Sequence, residues 1–481
     1  MDTYFLNPLS AYEQAKKQER TGLFNDLQIC YYHGEPIQSD LENLIHLPLE
    51  NLYNFMCETP YRRIQICLRD EGFDVNVYDE IIVYINKVQN EAFKKIAEFE
   101  KLYKDEIRKL KLNFSEPLRV FFLTTRTTTV LQNSANGLMN AFKNLGYETF
   151  FSIEENDMQS WGMNEDSGYF AWHLKNMLEF KPHITINLDY LHNNFLPNEI
   201  FNFIWIQDEM PFMHQNQLVQ LRKRDFVFHL TSGMRSVLSK VGIESEYQEF
   251  LMNRNIFKPR VEIKKEKKII FIGTSYFSFS EHLRHDRMFE EIFNDVLCSF
   301  EEKSCITSGK NGDIEYFAKK YKKEEEYIHL VYNYLMRDYC VEKLCRINTG
   351  EYKVEIYGAG WEKNQYVKKF HKGMAPYGEE VSKLYNSATY AYCVGGYVLM
   401  QRTLESAFSG TIPLVLDVRA GGEDEYDKKV EDGLEFFHIK DLENILTSGI
   451  VKEKDFSFIR QEYSYEKMAK RIIDKVQKEL S

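Results

Sequence analysis

The chain has 481 residues, 43% hydrophobic and 15% aromatic, too long for one core and apolar enough for about three. Its formal net charge of −12 excludes the basic footprint of a general nucleic-acid binder, though a local basic pocket for a small anion remains compatible with it. With 11 prolines and 24 glycines it is not a low-complexity or linker-dominated sequence.

The first residues, Met1 to Tyr4, lack the basic and apolar regions of a signal peptide. No window approaches 18 uninterrupted apolar residues, so no transmembrane segment is expected. The 8 cysteines are scattered without a CxxC pair and read as reduced thiols rather than zinc ligands. A cytoplasmic protein is expected.

Residues 1–112 carry helical spacing and little punctuation, and read as a mainly helical N-terminal domain. Ile82, Ile85, Val88, Phe93, Ile96, Phe99 and Tyr103 form an apolar stripe among Lys and Glu, which calls for a packing surface. Ser115-Glu116-Pro117 breaks that pattern. Strands at Val120–Leu123, Thr149–Phe151, His183–Ile186, Ile204–Ile206 and Val227–Leu230 then alternate with helices around Leu131–Leu145 and Tyr169–Phe180. This is a Rossmann-like domain over residues 113–250. The polar, lysine-rich segment 251–268 reads as a linker. A second alternation fills 269–460. It has strands at Ile269–Gly273, Val354–Gly358, Ala391–Val394 and Thr411–Leu416, and a long helical stretch from about His282 to Leu344. A C-terminal helix closes the chain over 461–481. Two such domains in tandem are expected to face a cleft, with ligands beyond the carboxyl ends of the strands.

The richest stretch for chemistry runs from Gly395-Gly396-Tyr397 through Gln401-Arg402-Thr403-Leu404-Glu405 to Gly410. A strand ends in two glycines and a helix follows, whose free N–H groups and dipole suit a phosphate. Arg402 offers a bidentate phosphate contact, and Glu405 one turn on offers a carboxylate for ribose hydroxyls. An ordinary Arg–Glu surface pair fits the same spacing. A second anion candidate is the turn after Gly273 and Thr274, with His282, Arg284, His285 and Arg287 close behind.

These residues resemble the donor segment of GT-B glycosyltransferases, most closely the CgeB-like group linked to spore coats and surface glycans. The resemblance rests on Tyr357-Gly358-Ala359-Gly360-Trp361, on Leu384-Tyr385-Asn386-Ser387, on Gln401–Glu405 closed by Gly410, and on Phe271–Ser275. The segment Tyr247–Pro259 is similar too, and the resemblance spans roughly residues 118–475. It implies a nucleotide-sugar co-substrate and a glycan or protein acceptor. Glu405 would hold the ribose, and Arg402 with the amides around Tyr397 to Met400 the diphosphate. Tyr357, Gly358 and Trp361 would lie near the base. Gln401, Thr403, Gly273, Thr274 and Arg287 complete the donor set. Where many retaining members carry the first of two glutamates, this chain has Tyr397.

On the acceptor side, Arg126, Thr127 and Thr128 follow the first strand of the first Rossmann-like domain. Asp208 and Glu209 follow Ile204–Gln207 and precede Pro211. A carboxylate there suits deprotonation of an acceptor hydroxyl, and a helix-capping aspartate fits equally. Asp189, His192 and His214 are weaker candidates for a base. The acidic loop Gly421–Asp427 has no matching ligands elsewhere, so no metal and no other cofactor are expected. The alternatives are a nucleotide-sugar epimerase or phosphorylase-like enzyme, and a non-catalytic GT-B binding module.

Overall fold

The computed structural model describes all residues except 1–2, 19–27, 59–64, 68–74, 126–128, 154–169, 216, 308–310 and 422–424. The chain divides into two compact units. The first holds Met1–Phe228, Val237–Glu246 and Ala469–Ser481, and the second holds His229–Ser236 and Tyr247–Met468.

The N-terminal part of the first unit contains a sheet that the sequence does not announce. Strands β1 (Thr3–Phe5), β2 (Cys30–Tyr32), β3 (Leu44–His46) and β4 (Gln65–Cys67) pair in parallel in the order β3-β2-β1-β4. Three residues are too few to show a period of two, so the strands are hidden among helices Pro8–Lys17, Leu52–Glu58 and Val75–Arg108. Helix still outweighs strand here, but it is arranged around a sheet.

Helix Val75–Arg108 has 34 residues and is about 51 Å long at 1.5 Å per residue. Ile85, Val88 and Ala92 join Tyr4, Tyr31 and Leu52 in the N-terminal core. Ile107 belongs instead to the core around Phe121, Leu123, Phe170 and Leu174. The helix therefore ties the small sheet to the next one. Of the expected stripe, Ile85, Val88 and Ile96 are buried, whereas Phe93 is 40% exposed. Ala92, four residues after Val88 and four before Ile96, takes the inward position.

The next sheet has strands β5 (Arg119–Leu123), β6 (Glu148–Ser152), β7 (Ile184–Leu188), β8 (Phe201–Ile206), β9 (Asp225–His229) and β10 (Ser245–Tyr247), ordered β10-β9-β8-β7-β5-β6. Pairs β5–β6, β5–β7 and β7–β8 are parallel. Every residue of β7 and β8 is buried, as parallel strands covered on both faces require. From β5 the chain winds first to β6 on one side and then to β7 on the other. The topological switch point therefore lies at the carboxyl ends of β5 and β7. Helix Thr129–Asn144 ends before Gly146, whose φ of +87° suits a glycine cap.

The second unit is built on β11 (Glu266–Ile272), β12 (Lys353–Tyr357), β13 (Ala388–Cys393), β14 (Ile412–Leu416) and β15 (Glu435–Phe437), all parallel in the order β12-β11-β13-β14-β15. Its switch point lies between β11 and β13. The last residues of the 251–268 segment, Glu266 to Lys268, already belong to β11.

The expected helix from His282 to Leu344 is not continuous. It is divided into Phe289–Lys303, Asp313–Tyr321, Glu325–Tyr334 and Cys340–Arg346. Two of the breaks follow left-handed residues, Ser304 (φ 62°) and Lys322 (φ 53°). Leu335–Tyr339 forms a wider π-helical turn, a feature common near functional groups. Helix Glu379–Asn386 precedes β13, and the expected C-terminal helix over 461–481 runs from Tyr465 to Leu480, after the short helix Ser457–Glu462. The chain is thus α/β, with two Rossmann-like parallel sheets. Among the described residues no helix is long and apolar enough to cross a membrane.

Candidate functional site

At the carboxyl end of the second sheet, the turns after β11 and β12 touch. Gly358 has a φ of +130°, and a Cβ there would lie 2.2 Å from the Gly273 carbonyl oxygen. Only glycine permits that approach. Trp361 is fully buried, donates its Nε1–H to the Gly273 oxygen at 2.7 Å and packs edge-on against Phe271. The expected place of Trp361 beside a base is therefore revised. Its ring is a strut that fixes the Gly273 turn and offers no surface for stacking. Tyr357 donates its hydroxyl to Glu355 at 3.0 Å, and Thr274 is exposed.

The turn after β13 runs through Gly395, Gly396 and Tyr397 to Met400, which precedes helix Gln401–Ser409. A Cβ on Gly395 would lie 2.2 Å from the Met400 sulfur, so the sulfur occupies the space a side chain would need. No side chain caps this helix at Met400, which leaves its first-turn N–H groups for another partner. Thr403 and Glu405 are fully buried, whereas Tyr397, Gln401 and Arg402 are half-buried. Glu405 accepts hydrogen bonds from Arg402 Nη1 at 2.5 Å and from Gln401 Nε2 at 2.9 Å. Gln401 also reaches the Tyr377 hydroxyl at 3.1 Å. Burial raises the Glu405 pKa above the ordinary carboxylate value, although Arg402 pulls it down. The expectation of a surface Arg–Glu pair is corrected: the pair forms, but its carboxylate lies below the surface with both oxygens engaged.

Arg337 and Asp338 carry no signal in the residue pattern, where they look like the solvated face of a helix. The π-helical turn carries both to the end of β11. Asp338 is buried and accepts hydrogen bonds from Ser275 Oγ at 2.5 Å and from the Tyr276 amide at 2.8 Å. The Arg337 guanidinium lies 3.9 Å from the centre of the Tyr276 ring, and its Nη1 donates to the Thr274 carbonyl at 3.4 Å. Burial lowers the Arg337 pKa, and the charge of Arg402 adds to that effect against the pull of Tyr276 and Asp338. Arg284 stacks on Phe277 and Tyr334 instead, with its guanidinium 5.0 and 5.5 Å from their ring centres. Arg287 is exposed and pairs with no carboxylate among the described residues.

In the first unit, Asp208 and Glu209 are both exposed beyond β8, and Glu209 lies 3.2 Å from His214 Nε2. The short helical turn Pro211–His214 begins after Met210, so Asp208 does not cap it. The buried acid is Asp189, which follows β7. Its Oδ1 accepts from the amides of Gln207 at 2.6 Å and Asp208 at 3.1 Å. Burial raises its pKa to about 7, outweighing those two bonds, with the Asp208 charge adding to the rise. Arg126, Thr127 and Thr128 lie outside the described residues, as do residues 422–424 of the acidic loop. Among the described residues no three His, Cys, Asp or Glu side chains gather to hold a metal.

Family models and curated sequences give no match to the chain. Solved structures do. It is similar to AviGT4, a glycosyltransferase involved in avilamycin A biosynthesis, with a TM-score of 0.43 and 11% identity over 74% of this chain and 96% of that one. It is also similar to TarM, with a TM-score of 0.33 and 14% identity over 60% of this chain and 54% of that one. The glycosyltransferase SnogD from Streptomyces nogalater gives a TM-score of 0.33 and 10% identity, over 75% and 99%.

Proposed function

We propose that the chain is a GT-B glycosyltransferase that moves a sugar from a nucleotide-sugar to a hydroxyl of a glycan or protein, without a metal and in the cytoplasm. The observation that carries this reading is the uncapped start of helix Gln401–Ser409 at the switch point of the second sheet, with the half-buried Arg402 in its first turn. Free first-turn N–H groups and a guanidinium at the same helix start together suit a diphosphate. A departing diphosphate gains charge as the glycosidic bond breaks, which is where such donors act. Glu405 serves first as the buried anchor that aims Arg402. The resemblance to the CgeB-like group supports a surface glycan or spore-coat product.

The test is a thermal-shift titration with UDP, GDP, dTDP and CMP and their sugars, with EDTA present. Ligand at 100 times its dissociation constant stabilises by about 2.7 kcal/mol. Sugar release or transfer should follow for the base that binds. If none of the four nucleotides shifts the melting curve, the reading fails. Activity lost in EDTA and restored by manganese would overturn its metal-free part.

A further inference from the structure

The carboxyl end of the first sheet holds buried polar groups that the reading above leaves unused. Gln207, directly after β8, is 3% exposed, and neither its amide nitrogen nor its oxygen has a partner among the described residues. One strand across, Asp189 follows β7 with a φ of +65°, a conformation that residues other than glycine seldom adopt. It turns one carboxylate oxygen onto the amides of Gln207 and Asp208. One strand further, Thr124 follows β5, is 2% exposed and has an unpartnered hydroxyl. Neighbouring strands lie about 4.8 Å apart, so the three strand ends fall within the span of one small molecule. β5 and β7 flank the switch point, where open α/β sheets take their ligands.

A buried amide without partners weakens a fold, so its retention calls for a ligand that completes it. The chemistry of the set narrows that ligand. Gln207 offers one donor and one acceptor side by side, which matches two adjacent hydroxyls, one accepting and one donating. Thr124 adds a group that does either, and Asp189 adds an acceptor. None of the three carries a positive charge, so the set suits hydroxyls rather than a phosphate. We propose that the carboxyl end of the first sheet is a carbohydrate subsite in which Gln207 holds a vicinal diol of a sugar ring. Resting on the glycosyl-transfer reading, this makes the acceptor a glycan rather than the lone hydroxyl of a protein side chain.

The test is saturation-transfer NMR on the full chain with four methyl glycosides, of glucose, galactose, mannose and N-acetylglucosamine, and with a serine-containing peptide. At least one glycoside should receive saturation from the wild-type protein and the peptide should not. Gln207→Leu should abolish that signal and raise the melting temperature, because an unpartnered amide gives way to an apolar group of similar size. Gln207→Glu, which loses the donor, should weaken the signal. Silence from all four glycosides, or saturation of the peptide alone, would overturn the proposal. So would an unchanged signal in Gln207→Leu, or a lower melting temperature, which would mean that the amide is already partnered within the fold. Nucleotide binding is scored separately by the thermal-shift titration, so failure of the glycosyl-transfer reading is told apart from failure of this subsite.

Discussion

At the carboxyl end of the second sheet the buried carboxylates are matched: Glu405 lies against Arg402 and Gln401, and Asp338 against Ser275 and the Tyr276 amide. At the same end of the first sheet, Gln207 and Thr124 are buried with polar atoms that have no partner among the described residues, and Asp189 accepts from two backbone amides. The same topology thus ends in a charged, self-satisfied set in one unit and a neutral-to-acidic, incomplete set in the other. A satisfied network can hold its geometry before a ligand arrives, as a site for a charged leaving group requires. An incomplete network gains most from a ligand that brings hydroxyls.

The largest expected effect falls on the scaffold of the charged site. Gly358→Ala would drive a Cβ into the Gly273 carbonyl at a φ of +130°. Backbone meets backbone there, so no side chain can yield, and a loss of about 4 kcal/mol or more is expected. Chemical denaturation of the variant measures it, and a loss below about 1 kcal/mol would show that the two turns separate easily. Glu405→Ala comes next. It strands a partly buried guanidinium, and breaking such a pair costs about 3 kcal/mol, at the low end because Arg402 retains 35% side-chain exposure. Were Glu405 instead an open ribose contact, the variant would keep its stability and lose only nucleotide affinity.

The two arginines separate anchoring from binding. Arg337→Ala should weaken nucleotide diphosphate binding by about 1.5–3 kcal/mol for the charge-assisted bond lost. It should change folding stability little, since its own carbonyl contact is long. Calorimetric titration of the variant with UDP or GDP checks this, and unchanged affinity would remove Arg337 from the site. Arg402→Ala should weaken binding similarly. It should also push the Glu405 pKa higher still, since burial already raises it and Arg402 is the main force opposing that.

Much of this layout was legible in the sequence, and what was missed has physical causes. Most strands of both large sheets stand out because parallel strands buried on both faces read as short apolar runs, as Val120–Leu123 and Ile269–Ile272 do, whereas the three-residue edge strands β10 and β15 do not. Glycines at 358, 395 and 410 mark places where backbone or side chain comes too close for a Cβ or where φ is positive. Strands β1 to β4 stayed hidden because three residues carry no period. Arg337 stayed hidden because a π-helical turn changes which way a side chain points without changing the residue pattern. Arg402 and Glu405 were recognised as a pair from their spacing, but spacing cannot report depth. Burial raises the pKa of Asp208 at its strand end, and raises that of Asp189 on the neighbouring strand to about 7.

The smallest expected effect is on Asp189, and its sign sharpens the contrast with the charged site. Its pKa is raised from the ordinary 3.8 to about 7 in the folded chain. Between those two values the folded state holds a proton that the unfolded state has released, so stability falls as pH rises from about 4 to 7 and levels off above. The full shift would correspond to about 4 kcal/mol at 1.36 kcal/mol per unit, and relaxation of the ionised site should leave roughly half of that. Asp189→Asn keeps an oxygen to accept the Gln207 and Asp208 amides and removes the charge. It should therefore stabilise the chain by about 2 kcal/mol at pH 8, gain almost nothing at pH 4, and flatten the pH dependence between. Urea unfolding at the two pH values measures the difference. Destabilisation at pH 8 would mean that the carboxylate is stabilised by its surroundings. The first sheet's end would then be as self-satisfied as the second's, and the contrast between the two would disappear.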